Sequence, residues 1–277
     1  MTLKEPFLGR NSILVRHCYE WFSDMVQDMK SNGLHGVNIT GDTGIGKSMW
    51  VIYFMWQQSR LGNSIIYHSI HISGKSVLFD FEAKDGSPRT TLGKIDTLLS
   101  ATIPETTWYI VDGVVPILEA MHFTVLLSSP SNEAVHKQFR KTTFKNDIKY
   151  MPDWTLDEIN RAASTVTPPP DPNTIKHAFY KWGGIPRYVL QMHDLESQQQ
   201  LSAQLLNRAL AVESMVAVLL SSVSDDTDVS QKLVHNIVDG QGRLLGLKWA
   251  SKTSQRLTAC ILPTTSSRLQ YQRAIVR

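Results

Sequence analysis

At 277 residues the chain holds one large domain or two small ones, and its composition, 42% hydrophobic and 19% charged, is that of a folded soluble protein rather than a low-complexity or disordered one. No apolar run approaches the roughly 20 residues that span a bilayer, and the start Met1-Thr2-Leu3-Lys4-Glu5-Pro6 lacks the apolar core of a signal peptide. The two cysteines, Cys18 and Cys260, make no CxxC pattern and no disulfide framework, so neither a membrane span nor a disulfide scaffold is expected. The net charge of +3 conceals an asymmetry, because Gly240 to Arg277 carries seven basic residues and no acid. These are thinly spread, which favours a solvated end over a nucleic-acid-binding face.

In chain order, Pro6-Phe7-Leu8-Gly9-Arg10 opens the ordered part. A helix is expected from there through Met29, with Ile13, Leu14, Tyr19, Trp21, Phe22 and Met25 as its apolar residues. His35 to Thr40 reads as a strand, β-branched at 37, 39 and 40; Asn38 is out of keeping with a central parallel strand, which is usually apolar throughout. The strand leads into Gly41-Asp42-Thr43-Gly44-Ile45-Gly46-Lys47-Ser48, which fits the phosphate-loop pattern G-x-x-x-x-G-K-[ST]. The glycines let the backbone wrap closely round a di- or triphosphate. Successive N–H groups then point inward as an anion nest, and the next helix adds the positive end of its dipole. Lys47 is expected to reach the β/γ-phosphates and the Ser48 hydroxyl to ligate Mg²⁺. The nucleotide-binding set is therefore Gly41, Asp42, Thr43, Gly44, Ile45, Gly46, Lys47, Ser48 and Met49. The helix that follows is apolar on nearly every face, hence buried, with Gly62 at its C-cap.

Ser64 to His68 and Ser76 to Phe81 read as further strands. His68 and His71 form an HxxH pair, but odd spacing on a strand sends the rings to opposite faces, against a metal site. Thr107-Trp108-Tyr109-Ile110-Val111-Asp112 is the second chemical motif. An apolar strand ending in Asp delivers a carboxylate to the C-terminal edge of a sheet, where open α/β folds bind ligands. In phosphate-loop enzymes this Asp holds Mg²⁺ together with the loop Ser or Thr, which pairs Asp112 with Ser48. Gly113 stands where a second acid often serves as the base for water, leaving Asp80 and Glu82 as the competing base candidates. The strand 123–129 ends in Ser128 and Ser129; Ser129 is either a γ-phosphate sensor or the start of a turn with Pro130. Arg140, on a helix with Lys137 and Lys141, belongs to a solvated face or reaches a neighbouring subunit's nucleotide as an arginine finger.

Asp147 to Met151 is expected as the last core strand. Thr155-Leu156-Asp157-Glu158 is a capping box that starts a helix at about Leu156. After the stiff connector 165–172, helices are expected at about 173–182 and 195–222, separated by Gly183-Gly184-Ile185-Pro186-Arg187. The shift from strand-rich to helical sequence divides the chain into a nucleotide-binding core, 1–150, a helical lid, 151–223, and an extension, 224–277.

Phe7-Leu8-Gly9-Arg10 resembles the F-x-G-R opening of AAA+ and STAND ATPases. Five further motifs follow one another in the order seen in Crinkler effectors, which are similar to the retrotransposon hot spot proteins of trypanosomes. They are Gly44-Ile45-Gly46-Lys47-Ser48, Trp108-Tyr109-Ile110-Val111-Asp112-Gly113, Leu127-Ser128-Ser129-Pro130, Tyr150-Met151-Pro152-Asp153-Trp154 and Gly183-Gly184-Ile185-Pro186-Arg187-Tyr188-Val189-Leu190. The resemblance covers residues 6 to about 237, including Lys232-Leu233-Val234-His235. It implies a STAND/AAA+-like P-loop NTPase core with a mostly parallel sheet, followed by a helical lid. Pro186 and Arg187 would then lie near the nucleotide, Arg187 as a second sensor. It also implies an effector of oomycetes or fungi delivered into host cells, often into the nucleus, although neither the family's trafficking header nor its toxin domain is seen in this chain.

The expected function is that of an Mg-ATP-dependent ATPase or switch, with Lys47, Asp112 and Ser129 as catalytic residues and ATP and Mg²⁺ as cofactors. The alternative is an interaction or regulatory protein that binds ATP with negligible hydrolysis. A small-molecule kinase would need an arginine-rich lid, and the lid region offers mainly Arg187. Partners beyond ATP would be a host protein or nucleic acid, or further copies of the chain through nucleotide-dependent self-association.

Overall fold

Runs of β-branched and aromatic residues at the expected places build the middle of an α/β fold with a mostly parallel central sheet. The computed structural model describes residues 2–7, 10–70, 72, 74–81, 89–117, 120–129, 135, 138–139, 145–192, 194–209 and 234–261. The chain divides into two units, the first comprising 1–40 and 47–149, the second 41–46 and 150–277.

In the first unit the elements run β1 (Thr2–Phe7), β2 (Arg10–Ser12), α1 (His17–Ser31), β3 (Gly36–Thr40), α2 (Lys47–Arg60), β4 (Ser64–Ser69), β5 (Ser76–Asp80), β6 (Arg89–Gly93), α3 (Ile95–Ser100), β7 (Thr107–Asp112), β8 (Phe123–Leu127) and β9 (Asn146–Tyr150), whose last residue is counted with the second unit. The sheet order is β6-β5-β4-β7-β8-β3-β9. Strands β4, β7, β8 and β3 are mutually parallel, while β5 and β6 are antiparallel additions at one side. The helix expected to begin near Arg10 starts only at His17, because Arg10–Ser12 pairs with Thr2–Phe7. That pairing is set by the partner strand and leaves no helical periodicity to read.

Alternation along β7 sorts the core into two layers. Trp108 meets Phe54 of α2 edge to face at 5.0 Å, and Trp50 donates its indole N–H to the Tyr19 carbonyl of α1 at 3.2 Å. Tyr109 and Val111 point the other way, into a cluster with Leu98, Leu99, Val135 and Phe139. Helix α2 is buried from Trp50 to Met55, as its all-round apolar sequence predicts. Asn38 finds its place in β3 by accepting a hydrogen bond from the Ser128 hydroxyl at 2.8 Å, which removes the cost of an amide in a buried strand.

The second unit contains α4 (Leu156–Ala163), α5 (Pro172–Trp182), a π-helical turn (Arg187–Gln191), α6 (Leu195–Ala209), the antiparallel hairpin β10 (Val234–Val238) and β11 (Leu244–Trp249), and α7 (Lys252–Ile261). The capping box forms as read: the Thr155 hydroxyl accepts from the Glu158 amide at 3.2 Å and Glu158 Oε2 accepts from the Thr155 amide at 2.9 Å. The helices expected at 173–182 and from 195 are present, the latter described to Ala209. No helix among the described residues is long and apolar enough to cross a membrane.

Candidate functional site

The register of the parallel strands sets the functional edge. Ile39 of β3 and Asp112 of β7 are both level with Leu127 of β8, so Asp112 ends its strand one residue short of the level of Thr40, after which the glycine loop begins. Asp112 shares its face of the sheet with Trp108 and Ile110, the face covered by α2, whose first residues are Lys47 and Ser48. The Asp112 carboxylate is 8% exposed and accepts a hydrogen bond from the Tyr67 hydroxyl at 3.2 Å. Burial first, and then the Asp112 charge, push the Tyr67 hydroxyl well above its ordinary value, so it keeps its proton and remains a donor. Such a partner fixes the orientation of the carboxylate, as an outer-shell donor would if Asp112 held a metal. Ser128, spent on Asn38, leaves Ser129 as the half-buried hydroxyl after the end of β8.

Gly113 follows Asp112 with φ of 73°, and a Cβ there would lie 3.1 Å from Ile70 Cγ2. A carboxylate-bearing residue at this position would be strained, which accounts for the glycine. The competing base Asp80 is misplaced for the role. Because β5 is antiparallel, Asp80 lies beside the start of β4 and accepts a hydrogen bond from Ser64 at 2.9 Å. Ser64 is level with Thr107, and Ser69 is level with Asp112. Five strand residues, about 16 Å, therefore separate Asp80 from the functional edge. Sequence position suggested proximity; strand direction reverses it. Glu82 and Arg140 lie outside the described residues, as do Leu8 and Gly9 of the F-x-G-R motif. His68, one half of the HxxH pair, sits 3.0 Å from the Tyr109 hydroxyl, and His71 lies outside the described residues.

The loop Gly41–Gly46 is held within the second unit. Its three glycines have φ of 143°, 91° and 102°, conformations that favour glycine, and the Ile45 amide donates to the Asp42 carbonyl at 3.4 Å. The Ile45 side chain is fully buried and its carbonyl accepts the indole N–H of Trp154 at 2.7 Å. A Cβ on Gly44 would come within 2.8 Å of Arg187 Cβ and 3.2 Å of Arg187 Nε, so the exposed Arg187 side chain covers the loop at that point. Pro186 caps the π-helical turn that begins at Arg187. Thr43, Gly46, Lys47, Ser48 and Met49 are half-buried, whereas Asp42 is 3% exposed.

Three residues of this region were not assigned a role from sequence. Trp154 fastens the loop, while Asp153 and His235 join Asp42 in a cluster whose nitrogen and carboxylate atoms lie within 4.8 Å of one another. Their only signal was membership of the motifs Tyr150–Trp154 and Lys232–His235, which carry no chemistry by themselves. His235 Nδ1 is 2.9 Å from Asp153 Oδ2, and Lys248 Nζ is 3.2 Å from the same oxygen. Burial pushes the Asp153 carboxyl up, but His235 and Lys248 outweigh it and hold the group below its ordinary value. Burial likewise pushes His235 down, and the charges of Asp153 and Asp42 overcome this to raise it above its ordinary value.

The residue types are compatible with the expected cofactors: Ser48 and Asp112 would offer hard oxygens to Mg²⁺, and the glycine loop and Lys47 would offer amides and a cation to phosphates.

No protein-family model matches the chain. It is 24% identical over 245 residues to Crinkler effector protein 15 of Phytophthora infestans and 25% identical over the same length to Crinkler effector protein 16. Each match covers 83% of this chain but 37% of the relative, so the chain spans just over a third of the length of the curated relatives it matches. This weak similarity, running through most of the chain, supports a relationship to the Crinkler effectors.

Proposed function

We propose that the chain is an Mg-ATP-binding P-loop NTPase module of STAND/AAA+ type, acting as a slow ATPase or nucleotide switch in a Crinkler-type, host-directed effector. The observation that carries this reading is the alignment of Asp112 with Ile39, the residue next to the end of the strand that feeds the glycine loop. The amides of Gly41–Gly46 and the Lys47 ammonium would bind the phosphates, and Ser48 and Asp112 would hold Mg²⁺. Bound Mg²⁺ would neutralise charge on the phosphoryl oxygens. Ser129 would be the γ-phosphate sensor and Arg187 a second sensor.

Slow turnover follows from the missing base. Gly113 has a backbone that disfavours a carboxylate there, and Asp80 is at the opposite sheet edge. A positioned general base is worth about 10²–10⁴-fold, whereas loop, Lys47 and metal still stabilise the transferring phosphoryl group. The same observation favours the second reading, an interaction protein that binds ATP and hardly hydrolyses it. Incubation of the purified protein with labelled ATP and Mg²⁺ separates the cases. Slow phosphate release supports the switch and bound ATP without turnover the second reading. Transfer to an acceptor, or turnover faster than about 10 s⁻¹, would defeat both. The target in the host, protein or nucleic acid, and nucleotide-dependent self-association belong to the same proposal; the relatives' description as effectors supports the former.

A further inference from the structure

Asp42 is an electrostatic anomaly. It is the second residue of a loop that matches the phosphate-loop pattern, and its carboxylate carries charge of the same sign as a triphosphate. The structure buries it to 3% exposure beside His235, which comes from β10 at the far end of the sequence and is 1% exposed. The imidazole is closely confined, since a Cβ on Gly183 would lie 2.5 Å from His235 Cε1. Among the described residues His235 Nε2 has no hydrogen-bond partner, and Nδ1 approaches Asp153 Oδ2 at 2.9 Å.

Among the described residues, the charged groups that face His235 are Asp42 from the loop, Asp153 from the segment after β9, and Lys248 from β11. A proton on the imidazole lies beside two carboxylates, whereas a divalent cation among the same three side chains would stand near the half-exposed Lys248 ammonium, which is 3.2 Å from Asp153 Oδ2. Uncompensated buried charge is the costly state, so the proton is the occupant the cluster favours.

We propose, given the phosphate-loop function above, that His235 is a positioning residue of the loop: as an imidazolium between Asp42 and Asp153 it supplies the counter-charge that keeps Asp42 from opposing a bound triphosphate, and so couples ATP affinity to pH. The raised proton affinity of His235 agrees with this. Its sign is definite. A group whose folded value lies above its ordinary value of about 6.5 contributes its full effect below that value and loses it as pH rises through the folded value. ATP affinity therefore falls on the alkaline side.

The test uses the full chain as wild type, His235→Gln, Asp42→Asn and the double variant, each checked for native circular dichroism. In nucleotide-free protein, the His235 ring should titrate above the ordinary histidine value by NMR, and Asp42→Asn should lower it. By calorimetry with Mg-ATP, wild-type affinity should fall about tenfold as pH is raised through the range in which the ring loses its proton, within the range of typical site-to-site couplings. His235→Gln should bind about tenfold more weakly with a flat pH profile, and adding Asp42→Asn should restore binding, a rescue that a purely packing role for His235 does not predict. If His235→Gln fails to fold, Asp42→Asn alone still decides, by flattening the pH profile. The proposal is overturned if the ring titrates at or below the ordinary value, if ATP affinity depends on Lys47 but not on pH, Asp42 or His235, or if Zn²⁺ alone binds stoichiometrically in a His235-dependent way. No ATP binding by any form, with the ring titrating high as expected, instead refutes the phosphate-loop function, and this coupling with it.

Discussion

The functional edge of the sheet and the hold on the glycine loop are built on opposite plans. At the edge, Ile39, Leu127 and Asp112 are aligned by hydrogen-bonded register, so the position of Asp112 follows from strand direction and count. Around the loop, Ile45 is held by Trp154, 109 residues away, and Asp42 lies against His235 and Asp153. The edge presents chemistry on a rigid ladder. The loop has its backbone shape from glycine but its anchorage from side chains of its own unit that lie far away in sequence. A ligand-responsive element suits the second plan, because a loop fastened by a few long-range bonds is more easily altered than a strand in mid-sheet.

Four substitutions test that contrast. Lys47→Ala should have the largest effect, weakening ATP binding by about 30- to several-thousand-fold, the cost of truncating one partner of a desolvated charge pair. Unchanged affinity in calorimetry on a well-folded variant would remove the phosphate site from both regions. Asp112→Asn should flatten the Mg²⁺ dependence of ATP binding while retaining at least about a tenth of the metal-free affinity, since the amide keeps the shape and loses the charge a hard cation requires. An unaltered Mg²⁺ titration would move the metal role away from the sheet edge. Trp154→Phe should act on the loop alone, through loss of its bond to the Ile45 carbonyl. A net hydrogen bond of about 1 kcal/mol corresponds to about 2–4 °C in thermal midpoint, with ATP affinity weakened in the same direction. A midpoint drop with unchanged affinity would show that the anchorage serves stability only. Asp80→Asn should do least, leaving kcat within about twofold, because the residue sits about 16 Å along the strands from the edge. A tenfold loss with binding intact would make it the base after all.

The helices of the second unit show how local signals survive folding. Thr155 and Glu158 are three residues apart and satisfy each other's backbone neighbours, so the start of α4 needed nothing distant. Helix α5 starts one residue earlier than expected, inside the stretch read as a connector: Pro172 is its first residue and the Asp171 side chain accepts from the Thr174 amide at 2.8 Å. By contrast β6 and α3 gave no signal that was read. Arg89–Gly93 is an exposed strand beside β5 with no alternation of burial, and Ile95–Ser100 is too short for a helical period to stand out.

The sequence by itself determined where the core strands lie, the glycine loop opening onto Lys47, the buried helix behind it and the capped helix starting at Leu156. These depend on residue type and on spacing over a few neighbours: β-branched runs, glycine where φ must be positive, hydroxyls and carboxylates at helix starts. Only the tertiary structure decided that β5 runs against its neighbours and carries Asp80 to the wrong edge, that Ser128 serves Asn38, and that Gly113 has a backbone a glutamate would strain. It alone brought Asp153 and His235 to Asp42. Strand direction and the pairing of buried charges are set by what a segment meets after the chain has folded back on itself, and no property of a residue's own neighbours in sequence encodes that partner.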